Sequence, residues 1–193
     1  MADALPPPLE MSVVTSLRHR FVLGPDGAHP LPATVYCPRH GASRDVSECM
    51  DCPRMMDLCG DAMTCAVEGE CARVAGALGR EPAMCIAPDL PIARVYGELL
   101  RSVDLLPVVE IDATLVGVVG HHEIDGFSRL DGHRTIATVM RSARWLAIRE
   151  DEPLDKVARH MARHRVRHLP VVDVLGRLVS ILDDTRLLRA FAH

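Results

Sequence analysis

The stretch RHLPVVDVLGRLVSILDD, residues 167–184, contains two apolar runs on either side of a Leu-Gly turn. Two such runs around a turn predict a β-hairpin. A second stretch, DLLPVVEIDATLVGVVGH at residues 104–121, repeats the pattern, and residues 106–110 fall on residues 169–173 at an offset of 63. The C-terminal part of the chain is therefore predicted to be an internal duplication.

A segment with helical periodicity precedes each hairpin. Apolar residues recur there at i, i+3, i+4, i+7 and i+8, which predicts two amphipathic helices. They are Ile92, Val95, Tyr96, Leu99 and Leu100 in the first copy, and Leu154, Val157, Ala158, Met161 and Ala162 in the second. A further helix is predicted at residues 184–191, and short strands at residues 85–87 and 145–148.

These elements give each copy the order strand, helix, strand, turn, strand, helix. One such unit buries too little apolar surface alone, so the two copies are expected to pack sheet to sheet. The predicted fold class is α/β (α+β), with two β-α-β-β-α repeats packed as a pseudo-twofold pair and a small cysteine-rich N-terminal segment.

The bulk composition indicates a globular chain. Of its 193 residues, 48% are hydrophobic and 3% are aromatic, and the net charge is −4. This apolar content can build a packed core, while the negative charge and the few aromatic residues do not favour nucleic acid as a partner. Because the chain shows no long apolar run and no secretory leader at its start, we expect no membrane contact and a cytoplasmic location.

All seven cysteines lie between residues 37 and 85. The chain therefore divides into a cysteine-bearing N-terminal part and a cysteine-free C-terminal part. We predict an N-terminal segment at 1–34 with a flexible start, a cysteine-rich head at 35–71, and repeats at 72–130 and 131–193. In a reducing compartment, clustered cysteines favour metal binding over disulfides.

The head contains a C-x-x-C pair, Cys49 and Cys52, flanked by Cys37 and Cys65. Two thiolates at this spacing can reach one ion, and the four together predict a tetrahedral site. Cys59 and His40 compete with Cys65 for the fourth position. The predicted cofactor is zinc, because the cysteine spacing matches neither ferredoxin pattern. An iron-sulfur cluster is the alternative, because it uses the same four thiolates.

The duplicated region resembles the cystathionine beta-synthase-type (CBS) domain, which occurs as tandem pairs called Bateman modules. LPVVDVLGRLVSIL in the second copy carries the resemblance most strongly. The first copy, with EIDATLVGVV, lacks the usual turn glycine. The resemblance implies a regulatory protein, clefts that receive adenosine-containing nucleotides or related ligands, and homodimers formed through the CBS pairs.

In this family a Ser or Thr after the third strand, and an acid three residues later, contact phosphate and ribose. This sequence has Gly120 and Glu123 at these places in the first copy, and Asp183 and Arg186 in the second. Glu123 can accept a hydrogen bond, whereas Arg186 has donors only and suits an anion. These four residues are the candidate ligand site.

Catalytic motifs such as a phosphate loop, a dinucleotide fingerprint or a nucleophile elbow are absent from the sequence, so no enzymatic activity is expected. The leading hypothesis is a regulatory CBS-pair protein that senses an adenosine-containing nucleotide or related ligand, or acts as a dimerisation and interaction scaffold for an unidentified protein partner, with a zinc-like structural head. The alternative is a redox- or metal-responsive sensor that uses the cysteine cluster.

Overall fold

The structure, a computed structural model, describes residues 11–67, 74–79, 84–95, 105–124 and 133–192. Within these ranges, no helix has the length and the apolar character needed to cross a membrane.

The two repeats share one order of elements. The first contains β8 (Cys85–Ile86), α3 (Ile92–Val95), β9 (Leu106–Val109), β10 (Leu115–Val119) and α4 (His121–Ile124). The second contains β12 (Ile148–Arg149), α5 (Leu154–His164), β13 (His168–Val172), β14 (Leu178–Asp183) and α6 (Asp184–Phe191). In both, the first strand pairs parallel with the second, and the second pairs antiparallel with the third. The predicted fold class is confirmed.

The two hairpins meet at a local twofold axis. Leu115 N donates to Gly176 O at 3.0 Å, and Leu178 N donates to Ala113 O at 2.9 Å. The two bonds are symmetry equivalents, because Leu115 and Ala113 in the first repeat correspond to Leu178 and Gly176 in the second. Thr114 and Arg177, which are themselves equivalent, form the antiparallel bridge between these bonds. Reciprocal bonds of this kind are what an isologous contact requires, so the repeats form one pseudo-symmetric body.

The segment before each repeat crosses to the other repeat. Helix α2 (Ala75–Leu78) precedes the first repeat, and Gly76 N donates to Glu150 O at 2.8 Å. Its counterpart before the second repeat is a 3₁₀ helix (Ile136–Thr138), where Ala137 N donates to Pro88 O at 2.7 Å. This exchange ties the two repeats together by backbone bonds.

Helix α5 buries the apolar face that the sequence periodicity predicted. Leu154, Val157 and Met161 are 5% exposed or less and pack in one cluster with residues of β13 and β14. Burying a side chain of this size stabilises a fold by about 1.5–3 kcal/mol. In the first repeat Ile92 and Val95 are likewise buried, whereas the predicted positions Tyr96, Leu99 and Leu100 lie outside the described residues.

Residues 11–67, which join part of the predicted N-terminal segment to the cysteine-rich region and are called the head from here on, contain a five-stranded antiparallel sheet. Its strands are β1 (Met11–Arg18), β4 (Thr34–Cys37), β5 (Ala42–Asp45), β6 (Met55–Cys59) and β7 (Ala62–Val67), with α1 (Val46–Met50) after β5. Val35, Cys49 and Met63 form a small buried cluster in it. The head therefore has an apolar cluster of its own, which the sequence analysis did not anticipate.

A hairpin from the head extends the sheet of the first repeat. It consists of β2 (Phe21–Gly24) and β3 (Gly27–Pro30), and β2 pairs parallel with β8. The resulting sheet has the order β11-β10-β9-β8-β2-β3, where β11 is Arg141–Ser142. Residues 11–34 thus supply strands to two sheets. The domain boundaries at residues 34, 71 and 130 stay predictions.

The strand predicted at residues 145–148 was wrong in its position. Residues Ala143–Trp145 form a 3₁₀ helix, and β12 begins only at Ile148. Ser142 caps this helix by accepting a hydrogen bond from Arg144 N at 3.3 Å. Trp145 is 72% exposed, so its aromatic character, which favours strands, did not reflect a buried position.

Candidate functional site

The predicted ligand residues of the first repeat already contact protein groups. Gly120 N donates to Glu123 Oε2 at 2.8 Å, and Arg141 Nε lies 2.6 Å from Glu123 Oε1. The Glu123 side chain is 11% exposed. A ribose hydroxyl would therefore compete for this carboxylate with a backbone N–H and a guanidinium.

The predicted ligand residues of the second repeat lie at the start of α6. Asp183 Oδ1 accepts a hydrogen bond from Arg186 N at 2.8 Å, which makes Asp183 the N-cap of the helix. Arg186 Nη1 donates to Leu78 O at the end of α2, at 3.1 Å. The Arg186 side chain is 47% exposed. Asp183 therefore stabilises the helix, while Arg186 reaches across to the segment before the first repeat.

A cavity of about 380 Å³ lies between Arg186, α2 and the head, and is named here the Arg186 cavity. Its other lining residues are residues 13–18 of β1 with Tyr36, Pro38, Ala77 and Gly79. Binding pockets for small molecules have volumes of about 300–1,000 Å³. The size suits a nucleoside-sized ligand, and the lining includes two basic residues, Arg18 and Arg186.

A buried polar network joins the head to the repeats below this cavity. Arg18 Nη2 donates to Gly76 O at 2.6 Å, and Arg18 Nη1 donates to Ser43 Oγ at 3.2 Å. Ser43 N in turn donates to Glu150 Oε2 at 2.8 Å. Arg18 is 6% exposed and Glu150 is 3% exposed. Burial raises the pKa of the Glu150 carboxyl, the hydrogen bond from Ser43 opposes this, and the charge of Asp173 adds to it.

Gly76 is required where Tyr36 meets α2. A Cβ atom at this position would lie 2.8 Å from Tyr36 Cε2 and 2.9 Å from Glu150 Cβ. Such distances are shorter than van der Waals contact, so a larger residue would displace the tyrosine ring or the glutamate. Head and repeats are therefore in direct contact through Tyr36.

A second cavity, of about 360 Å³, lies between the head and the two hairpin turns. Its arginines already have partners: Arg177 Nε lies 2.7 Å from Asp173 Oδ2, Arg44 Nη1 lies 3.3 Å from Glu48 Oε2, and Arg20 Nη1 donates to Leu178 O. Of these contacts, the hydrogen bond from Arg20 to Leu178 O joins the head to the second hairpin.

The four predicted metal ligands come together in the structure. Cys37, Cys49, Cys52 and Cys65 line one small cavity of about 30 Å³, here named the thiol cavity, together with His40. Cys59, a competing candidate, is exposed and does not line it. Cys71 lies outside the described residues. The volume is close to that of one water molecule and is adequate for an ion.

The thiols of this cavity influence one another. Burial raises the pKa of Cys49, and the neighbouring thiols Cys37, Cys65 and Cys52 raise it further. Burial raises the pKa of Cys65 as well, with added contributions from Cys37 and Cys52. In the described part of the chain, no group of three or more His, Cys, Asp or Glu side chains has an arrangement that could hold a metal ion. The metal site is thus not shown, although its four candidate ligands are neighbours.

The sequence analysis did not identify Arg18, Ser43, Tyr36 or Glu150. No local signal marked Arg18 either, because polar and apolar residues do not alternate over SVVTSL, the six residues before it. The burial of Glu150 has no local signal, since it depends on β4 and β5 packing against the second repeat.

Comparison with known families finds the CBS domain at residues 136–193. The match covers the second repeat together with the segment that precedes it.

Two solved CBS structures of similar fold carry adenosine compounds. The crystal structure of CBSX2 in complex with AMP has a TM-score of 0.53 and 25% identity, over 63% of this chain and 97% of that one. The CBS domain pair of protein MJ0100, in complex with 5-methylthioadenosine and S-adenosyl-L-methionine, has a TM-score of 0.51 and 25% identity, over 62% and 95% of the two chains.

Curated relatives match over a shorter share of their length. The L-aspartate semialdehyde sulfurtransferase of Methanocaldococcus jannaschii is 30% identical over 91 residues, which are 47% of this chain and 18% of that protein. The chain spans 16% to 21% of the length of the curated relatives that it matches. Some relatives are thus enzymes in which the similar part is a subdomain. Residues 136–193 match the CBS domain family, and the described part of residues 74–192 has the fold of a tandem CBS domain pair.

Proposed function

We propose that this protein is a non-catalytic regulatory CBS-pair protein that binds an adenosine-containing ligand in the Arg186 cavity. The observation that carries the proposal is the 380 Å³ cavity with a guanidinium at its wall, beside the start of α6. The adenosine ligands of CBSX2 and MJ0100 support the ligand class.

Arg186 suits the anionic part of such a ligand. A guanidinium has five N–H donors, so it can keep its bond to Leu78 O and still donate to a phosphate or carboxylate. The N-terminus of α6 adds a favourable dipole for negative charge at the same place. Asp183 is held as the helix cap, and its Oδ2 lies 3.8 Å from Arg186 Nε, so the guanidinium offsets part of the repulsion between this carboxylate and an anion.

The head side of the cavity suits the nucleoside part. Ser16 brings a hydroxyl group to the wall, and Tyr36 and Pro38 bring apolar surface. Hydroxyls can donate to and accept from ribose, and apolar surface can cover a base. In the first repeat, the carboxylate of Glu123 already has two donors, so we place the ligand beside the second repeat.

Calorimetric titration with AMP, ATP and S-adenosyl-L-methionine tests this proposal. Wild-type protein is expected to bind at least one of them, and Arg186→Ala is expected to weaken binding at least about tenfold, as for the loss of a charged hydrogen bond. Arg189→Ala, on the same helix, is the matched control and should leave the affinity unchanged. Absence of binding to all three ligands at millimolar concentration would overturn the sensing function and leave the scaffold reading.

We further propose a homodimer formed through the CBS pairs. On α6, Leu187 is buried, whereas Leu188 is 69% exposed and Phe191 is 52% exposed. Adjacent exposed apolar side chains on a helix support contact with a second copy. Light scattering should give the dimer mass for wild type and the monomer mass for Leu188→Glu. Val174→Glu, at an exposed apolar position on a hairpin turn, should remain dimeric, and a monomeric wild type contradicts the proposal.

A second candidate function concerns the thiol cavity, since four thiols and His40 line a cavity of ion size. We propose structural zinc there, with an iron-sulfur cluster and a metal- or redox-responsive role as the alternative. Anaerobically purified protein should be colourless with one zinc per chain, and Cys52→Ser should lose the zinc while Cys59→Ser keeps it. Brown protein containing iron supports the alternative, and protein without metal contradicts both.

A further inference from the structure

The cavity between the head and the two hairpin turns has a size that suits a small ligand. Its volume is about 360 Å³, within the range of about 300–1,000 Å³ that is usual for small-molecule sites. It is named here the Arg177 cavity, after the residue at the end of the second hairpin turn that lines it. Among the described residues, it has no lining residue in common with the Arg186 cavity. It is therefore a separate candidate site.

Charges of both signs line the Arg177 cavity, with five acidic and three basic residues. Two of the carboxylates are engaged by the protein itself. Asp173 accepts hydrogen bonds from Leu175 N, Arg177 N and Arg177 Nε. Glu150 is 3% exposed and accepts a hydrogen bond from Ser43 N. These two carboxylates therefore stabilise the turn and its contact with the head.

Three other polar groups of the lining have no partner in the described part of the chain. Arg177 uses Nε for its bond to Asp173, and its two Nη groups make no hydrogen bond there. Arg44 Nη1 lies 3.3 Å from Glu48 Oε2, whereas the buried Arg44 Nε has no partner. Asp45 ends β5, and its carboxylate does not cap α1. An N–H group removed from water without an acceptor is unfavourable, so a bound acceptor would stabilise it.

Asp45 and Arg177 approach the cavity from different parts of the molecule, the head and the second repeat. They form no ion pair in the described structure, yet they are close enough to interact. The hydrogen bond to Asp173 raises the pKa of Arg177, burial opposes this, and the charges of Asp173 and Asp45 raise the pKa further. A molecule with a positive and a negative group can lie between Asp45 and Arg177 with each group facing the opposite charge.

The cavity also offers apolar surface. Val174 is 68% exposed and Leu175 is 70% exposed, and both line the cavity from the second hairpin turn. The buried residues Ala113 and Val179 line it as well. Exposed large apolar side chains beside a cavity are stabilised when an apolar group covers them. The ligand is therefore expected to carry an apolar group next to its charged groups.

We propose that the Arg177 cavity binds a free α-amino acid with an aliphatic side chain. Its carboxylate accepts hydrogen bonds from Arg177 Nη and Arg44 Nε, and its ammonium group donates to Asp45. Its side chain covers Val174 and Leu175. The carboxyl groups of the lining disfavour a simple anion, and the guanidinium groups with unused donors disfavour a simple cation, so a zwitterion fits best. The bound amino acid contacts both the head and the second repeat and holds them together.

Calorimetric titration of the full chain with L-leucine, L-valine and L-methionine tests the proposal. At least one of them is expected to bind, with one site per chain. The N-acetyl derivative of the tightest binder lacks the ammonium group and its amide lacks the carboxylate, so each should bind at least about tenfold more weakly. These comparisons use unchanged protein and do not depend on the folding of a variant. Equal affinity for the derivatives, or no binding of the three amino acids at millimolar concentration, would overturn the proposal.

Two variants test whether the amino acid lies in this cavity. Asp45→Asn removes the charge that faces the ammonium group, and Arg177→Met removes the guanidinium but keeps an apolar stem. Each should weaken binding at least about tenfold. Asp57→Asn on β6 and Arg149→Met, both exposed and outside the cavity lining, are the matched controls and should bind like wild type. Thermal denaturation checks that each variant is folded. Unchanged affinity in folded Asp45→Asn would place the amino acid elsewhere and overturn the assignment.

Discussion

The two repeats share one order of elements and one pattern of strand pairing, but they carry different side chains at several equivalent positions. The bonds at the local axis, Leu115 N to Gly176 O and Leu178 N to Ala113 O, differ in length by only 0.1 Å (3.0 and 2.9 Å). The side chains at the ends of the third strands have opposite charge, Glu123 in the first repeat and Arg186 in the second. Duplication has kept the bonds that join the copies, while each copy has adapted to its own neighbours.

Small and large residues have changed places between the two repeats. In the first repeat, Gly117 on β10 faces Met140, which lies in the segment before the second repeat. A Cβ on Gly117 would lie 2.6 Å from the Met140 sulfur. In the second, Ser180 on β14 faces Gly79, and a Cβ on Gly79 would lie 1.9 Å from Ser180 Oγ. Each contact contains one glycine, but on opposite partners, because close packing leaves space for only one side chain.

The turns of the two hairpins differ for a similar reason. Gly176 and Ala113 both have positive φ, 80° and 70°. Ala113 is 4% exposed and packs with Val22 and Leu31 from the head, whereas a Cβ on Gly176 would meet no described atom within 4 Å. The head hairpin covers only the first turn, and burial of the alanine methyl there offsets the backbone strain.

Changing Gly79 has the largest expected effect on this comparison. Gly79→Ala should destabilise the fold by about 3 kcal/mol, the upper end for overpacking, because Ser180 Cβ as well as its hydroxyl lies within contact distance. Chemical denaturation measures the loss.

The double variant Gly79→Ala with Ser180→Gly provides the control for this prediction. It should be more stable than the sum of the two single changes predicts, by about 1 kcal/mol or more, because it recreates a contact with one glycine. Additive effects would show that the two positions do not compete for the same space.

The turn residues are expected to respond unequally. Gly176→Ala should lose about 1–2 kcal/mol, since positive φ is unfavourable for alanine and the methyl gains no contact. Ala113→Gly should be within about 0.5 kcal/mol of wild type, because relief of strain is offset by the lost methyl contact and the greater freedom of glycine in the unfolded chain. Thermal denaturation of both variants tests the asymmetry, and equal losses contradict the role given to the head hairpin.

Glu150 should give the smallest effect, visible as pH dependence. Because Ile86 pairs with Val108 as Ile148 pairs with Val171, its equivalent in the first repeat is Pro88, so this carboxyl is present in the second repeat alone. Burial raises the pKa of the Glu150 carboxyl above the ordinary 4.5 in the folded state. Protonation of this carboxyl therefore stabilises the folded state at low pH. That contribution to the free energy of unfolding is lost as pH rises from about 4.5 through the folded pKa. Relative to wild type, Glu150→Gln should therefore become more stable between pH 4.5 and 7. A difference in unfolding free energy that is constant with pH contradicts this assignment.

The sequence predicted the elements with local periodicity. Helix α5 follows from Leu154, Val157 and Met161, and α6 was predicted with the bounds that the structure gives, 184–191. The hairpins followed from their repetition. The pairing of β2 with β8 could not be predicted, because it joins strands more than 60 residues apart and parallel pairing leaves no turn signal.

The candidate sites were predicted only in part. Cys37, Cys49, Cys52 and Cys65 could be grouped from spacing, and they line one cavity. The Arg186 cavity could not be predicted, because its second wall is β1, and a strand's position in a sheet depends on distant residues. Whether the predicted ligand residues bind a nucleotide stays a prediction.

The stoichiometry of nucleotide binding tests the central claim most directly, namely that the ligand lies beside the second repeat and not the first. Calorimetric titration of AMP is expected to give one site per chain in wild type and in Glu123→Ala, and binding weakened at least about tenfold in Arg186→Ala. Two sites per chain, or a site lost in Glu123→Ala and kept in Arg186→Ala, would contradict the account.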